Sequence, residues 1–127
     1  MRKVIHSDRA PAAVGPYSQA IVTDGWVWAS GQIALDPATG ELVGAGDAAA
    51  EARQALTNLE AVLEAAGCGL DRVIRATVYL ADMGDFATVN EVYAEFFRES
   101  PPARVCVEVS ALPKGARVEV DAVAKPG

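Results

Sequence analysis

At 127 residues and 51% apolar, the chain fits one domain, residues 1–127, because two halves would each bury too little apolar surface to fold. No apolar run approaches the ~20 residues that cross a bilayer, and the start, Met1-Arg2-Lys3-Val4-Ile5, lacks the long apolar stretch of a secretory leader, so a cytoplasmic protein without a membrane partner is expected. A net charge of −6, with eleven scattered Lys and Arg, leaves no cationic footprint for a phosphate backbone and argues against nucleic acid.

Three short strands open the chain: Val4-Ile5, then Tyr17 to Thr23 after a loop from Ala10 to Pro16, then Trp26 to Ala29, with Asp24-Gly25 as a hairpin signal between the last two. Residues 31–46 carry Asp36-Pro37, Thr39-Gly40 and Gly44 and read as mostly surface loop. Asp47 caps a helix whose Ala52, Leu56, Leu59, Leu63 and Ala66 recur at helical spacing, with Glu51, Arg53, Glu60 and Glu64 mostly on other faces and Gly67 as its left-handed end.

The β-branched run Val73 to Leu80 predicts a strand largely covered on both faces, able to lie parallel to an earlier one. Asp85 caps a second helix with Phe86, Val89, Tyr93, Phe96 and Phe97 on one stripe, stopped by Pro101-Pro102. Strands Arg104 to Ser110 and Arg117 to Val123 follow, joined by the turn around Pro113-Lys114-Gly115. The order predicts an α+β fold with both helices on one face of one sheet. Alternation puts Val105, Val107 and Val109 opposite Arg104, Cys106 and Glu108, and Val118, Val120 and Ala122 opposite Glu119 and Asp121, so the helices should cover the valine rows.

Arg104 and Cys106 would then share the uncovered face with Glu119 of the next strand. Two readings stay open: a solvated face with an incidental ion pair, or a site in which arginine grips a carboxylate through two parallel hydrogen bonds while glutamate moves a proton. Tyr17, Ser30 and Gly31 stand where hydroxyls and close backbone could meet a ligand, or where turns and core simply need them. Cys106 has no histidine near it in sequence and reads as a small hydrophobe rather than a nucleophile. Lys114 reads as a solvated loop lysine, and His6 as structural or exposed. With that single histidine, and with Cys68 and Cys106 far apart, no metal site and no disulfide framework are expected.

Four ordered segments, APAAVGPYSQA (10–20), SGQIALDPATGELV (30–43), TVYLADMGDFATVNEVYAEFF (77–97) and PARVCVEVSALPKGARVEVDAVA (102–124), make the chain resemble the Rid (YjgF) family of reactive intermediate/imine deaminases over nearly its whole length. The resemblance implies a chorismate-mutase-like two-layer sandwich, one mixed sheet of about six strands with two helices on one face, assembled as a homotrimer with active sites between subunits. It implies hydrolysis of 2-imino acids such as 2-iminobutanoate and 2-iminopropanoate to 2-keto acids and ammonia, without a cofactor. By position, it assigns substrate carboxylate binding to Arg104, water handling to Glu119, backbone contact to Cys106, and pocket or supporting roles to Tyr17, Ser30, Gly31 and Asn90. Two alternatives accompany it: a non-catalytic carboxylate-binding or regulatory trimer, and an endoribonuclease.

Overall fold

A computed structural model describes residues 2–127; Met1 lies outside the described residues. Six strands, β1 (Lys3–Ile5), β2 (Ala20–Thr23), β3 (Trp26–Gln32), β4 (Val73–Leu80), β5 (Ala103–Glu108) and β6 (Val118–Ala124), form one sheet in the order β1-β2-β3-β6-β4-β5. β4 and β5 pair in parallel; every other pair is antiparallel. The helices are α1 (Ala48–Ala65) and α2 (Phe86–Phe96), so the sheet is mixed, open and helical on one side, as the resemblance implies. No helix among the described residues is long and apolar enough to cross a membrane.

α1 forms where its chemistry says it should. The Asp47 carboxylate accepts the Ala50 N–H at 3.1 Å, and at the other end Gly67, at φ 88°, lets the Gly67 and Cys68 N–H groups reach the carbonyls of Glu64 and Leu63. Its Leu56, Leu59 and Leu63 are buried against Val27 of β3, Val118 and Val120 of β6, and Val78 of β4; each such leucine contributes about 2–3 kcal/mol by leaving water. Glu51 departs from the expected solvent-facing pattern. It is fully buried, its carboxylate accepting the Arg117 N–H at 2.8 Å and the Gly46 N–H at 3.2 Å. Asp85 stands at the N-cap of α2 without capping it, because its carboxylate is taken by the Arg117 guanidinium at 2.9 and 3.2 Å.

Five further expectations are corrected. β5 and β6 are not neighbours: α2 carries the chain back so that β5 runs parallel to β4, and β6 occupies the other edge of β4. β4 is therefore parallel to a later strand, not an earlier one. It is covered on one face only, with Ala76, Val78 and Leu80 buried while Ile74 and Arg75 are exposed. On β5 the faces are reversed from the expected ones: Arg104, Cys106 and Glu108 share registers with Ala76, Val78 and Leu80 on the helix side, and Val105 and Val107 fall on the open side. The segment after β3 is not simply surface either, since Ile33, Ala34 and Leu35 are buried and Leu35 pairs with Leu42. β6 does follow its pattern, with Val118, Val120, Ala122 and Ala124 inward.

Candidate active site

β3 and β6 lose one residue of register between Ala29 and Gln32. Ala29 faces Ala122 and Gln32 faces Val120, which leaves both Ser30 and Gly31 opposite Asp121. This β-bulge bends β3 and turns the two residues toward the open face of the sheet. Glu119 lies against Gly31 so closely that a Cβ there would overlap its carboxylate and stand 2.8 Å from its Cδ. Glycine is what admits the glutamate. Burial, and then the charge of Asp121, push the Glu119 carboxyl above the usual carboxylate range. No hydrogen bond or ion pair engages Glu119 among the described residues.

Around it opens a cleft of about 390 Å³, lined by Tyr17, Ser30, Gly31 and Glu119 together with Val14, Ile33 and Lys114, among others. Its walls are held by buried amides. Gln19 donates to the carbonyls of Ser7 (3.1 Å) and Pro11 (2.8 Å) and accepts the Ser7 N–H at 2.6 Å, which fastens the first lip. Asn58 of α1 donates to the carbonyls of Ile33 and Leu35 at 3.0 and 2.9 Å, which fastens the second. Ser30 donates its hydroxyl to the Ser18 carbonyl at 2.6 Å, leaving oxygen lone pairs for the cleft. Tyr17 is 48% exposed at the rim.

Arg104 is elsewhere. Its Nη1 donates to Asn90 Oδ1 of α2 at 2.7 Å, and its guanidinium carbon lies 4.8 Å from the ring centre of Tyr93 and 5.7 Å from that of Phe86. Phe86, Asn90 and Tyr93 recur at i, i+4 and i+7 on one helical stripe and cradle the cation by stacking and one hydrogen bond. Arg104 remains exposed and without a carboxylate partner among the described residues, beside an open recess of about 430 Å³ bounded by Pro101, Pro102 and Phe97. Cys106 packs against the core, and burial raises its thiol further than Arg104 lowers it, which disfavours a thiolate nucleophile.

Within one chain the sequence-predicted residues thus fall into two groups. Tyr17, Ser30, Gly31 and Glu119 line one cleft; Asn90, Arg104 and Cys106 share another corner. Register puts them on opposite faces, since Arg104 is level with buried Ala76 and Glu119 with Tyr79. The expected juxtaposition of Arg104 and Glu119 is not made by a single copy, because β4 lies between their strands. Sequence reasoning missed the aromatic cradle, since Phe86 and Tyr93 were read only as members of one apolar helical stripe, and Lys114, which was read as a solvated loop lysine and lines the Glu119 cleft. His6 is exposed and bonds Asp8 at 2.9 Å. No group of three or more His, Cys, Asp or Glu side chains converges on a possible metal position among the described residues.

The Endoribonuclease L-PSP family model matches residues 7–125. A 2-iminobutanoate/2-iminopropanoate deaminase of Bos taurus is 54% identical over 127 residues, spanning 100% of this chain and 92% of that protein. Among solved structures, RidA of an Antarctic Psychrobacter species superposes with a TM-score of 0.93 at 44% identity, covering 98% of this chain and 99% of that one. E. coli TdcF with bound serine does so with a TM-score of 0.93 at 42% identity, again over 98% and 99% of the two chains. With a family model across almost its full length and relatives sharing about half its residues, this chain belongs to the Endoribonuclease L-PSP family, the Rid (YjgF) family that its four motifs resemble.

Proposed function

We propose that this protein is a 2-iminobutanoate/2-iminopropanoate deaminase whose active site is completed between copies, the Arg104 corner of one closing the Glu119 cleft of another. The observation that carries the reading is the division itself: among the described residues one chain holds a half-buried, unpartnered carboxyl in a preformed cleft and, on the opposite face, a cradled arginine without a counter-ion. Complementary halves on opposite faces suit a head-to-tail association, which gives a ring where the rotation closes, and the trimer implied by the resemblance is such a ring. The open face supports it. Val4, Ile21, Trp28 and Val123 are register partners in one row across β1, β2, β3 and β6, with Val4 60% and Trp28 52% exposed, an apolar stripe suited to burial by a second copy. The names of the curated relatives and the serine in the TdcF structure agree with a small α-amino-acid-derived ligand.

In the completed site Arg104 holds the substrate carboxylate through its free N–H groups, Asn90 and the two rings fixing its plane. Glu119, ionised, takes a proton from water as the oxygen attacks the imine carbon. It then returns the proton to nitrogen, and the carbinolamine collapses to 2-keto acid and ammonia. Imines already hydrolyse in water, so positioning and one proton carrier supply the modest reduction of barrier required. Against the ribonuclease alternative stands the charge: a −6 chain whose cleft presents Lys114 beside Glu119 offers little to a phosphate backbone.

The test is imine loss after a dehydratase generates 2-iminobutanoate in situ. Wild type should accelerate it, and Arg104→Ala and Glu119→Gln should each lose about 10²-fold or more of kcat/KM. Refolding the two inactive variants together should restore activity, since about a quarter of randomly mixed interfaces would join an intact cleft to an intact arginine. Absence of acceleration by wild type sinks the deaminase reading, and tight carboxylate retention without turnover would establish the binding protein instead. Acceleration without rescue in mixtures sinks the shared site.

A further inference from the structure

A residue that accepts a proton from water and returns it to nitrogen must hold that proton at intermediate affinity, which an ordinary solvated glutamate does not. The neighbours of Glu119 on the open face show where such an affinity could be set. Tyr79 of β4 is its direct register partner, and Asp121 is two residues further along β6 on the same face. The Tyr79 hydroxyl donates to Asp121 Oδ2 at 2.9 Å, fixing that carboxylate beside the Glu119 row, while the bulge places Ser30 and Gly31 opposite it.

No cation near this face is bonded to either carboxylate among the described residues. Arg117, two residues before Glu119, is engaged by Asp85; Lys114 stands 3.5 Å from the Gly40 carbonyl; Arg75 is level with Val123 and Ala103, a residue pair removed from Asp121. β3 contributes Ser30 and Gly31 and β5 contributes Val105 and Val107, none of them charged. An acid is therefore held by a tyrosine next to a half-buried acid, with no cation bonded to either among the described residues.

We propose that Asp121, held by Tyr79, is a positioning residue that keeps Glu119 able to carry a proton between its two transfers. This rests on the deaminase reading of Glu119. Asp121 touches no reacting atom; it acts through the like charge it presents, which disfavours a second carboxylate nearby. In an assembled site, Arg104 of a second copy would offset this effect in part, and the substrate carboxylate would in turn neutralise Arg104.

Two measurements on the assembled protein separate the claims: a carboxyl NMR titration of Glu119 without substrate, and the pH profile of kcat. Asp121→Asn should lower the Glu119 midpoint by about half a pH unit or more, and carry the acid limb of kcat down with it. Asp121→Glu should restore both. A merely structural role would reduce kcat at every pH with both midpoints unmoved, and that result overturns the proposal. If Asp121→Asn does not fold, Tyr79→Phe frees the carboxylate to turn away and should lower the midpoint by a smaller amount; an unmoved midpoint there overturns it equally. A Glu119 midpoint that moves while the wild type hydrolyses no imine leaves the coupling in place and overturns the deaminase reading alone.

Discussion

In the Glu119 cleft the decisive contacts come from backbone and buried amides: a two-for-one bulge at Ser30-Gly31, a glycine that admits the glutamate, and Gln19 and Asn58 fastening the lips. Around Arg104 they come from side chains on one helical stripe, with the cation exposed at the edge strand of the sheet. Under the proposed function, the difference follows the chemistry asked of each half. A proton carrier needs a desolvated and geometrically fixed carboxyl, whereas an anion clamp needs an accessible cation whose plane is set but whose N–H groups are free. Burial raises the carboxyl of the first half, while the guanidinium of the second lies exposed, its plane set by Asn90 and Tyr93.

Breaking the first half at its backbone should have the largest effect. Gly31→Ala sets a methyl group against the Glu119 carboxylate, so kcat should fall by about 10²-fold or more as the proton carrier is displaced. KM should change little, since the clamp is on the other half. Steady-state kinetics on freshly generated imine checks this, and a change confined to KM would mean that the two halves are not divided by task.

The converse substitution is Arg104→Lys, which keeps the charge and loses the planar fork and its stacking on Tyr93 and Phe86. KM should rise roughly 10-fold with kcat less affected. An equal loss in both parameters would move the arginine into the transition state.

The smallest effect concerns stability. Because its native proton affinity is raised above the unfolded value, ionised Glu119 costs the fold stability as pH rises through the native midpoint, and costs nothing below the unfolded one. Glu119→Gln should therefore raise Tm at pH 8 by on the order of a few °C, with the gain vanishing near pH 4. Thermal unfolding at the two pH values measures it; a lower Tm at pH 8 would show that the carboxylate has a stabilising partner.

Much of the local architecture was legible from the chain alone. Asp47 and Gly67 mark the ends of α1, Asp24-Gly25 marks the hairpin, and the alternation of β6 names its buried row, because capping, turn chemistry and period depend on residues close in sequence. The buried role of Glu51 was not legible, since its partners are backbone groups at Gly46 and Arg117 whose proximity arises only on folding. Nor was the orientation of β5: period two says which residues share a face and not which face meets the helices. Cys106 and the apolar stem of Arg104 went to the α2 side, where Tyr93 and Phe86 receive the guanidinium, and the valines went to the face that this chain leaves open.

The residues of the candidate site, Tyr17, Ser30, Gly31, Asn90, Arg104, Cys106 and Glu119, were all named from the sequence, because residue type and motif order survive without coordinates. Their division into two halves was decided by tertiary structure. The parallel pairing of β5 with β4 interposes a strand between Arg104 and Glu119 and turns them to opposite faces, and strand order and register are products of long-range hydrogen bonding that no local pattern encodes.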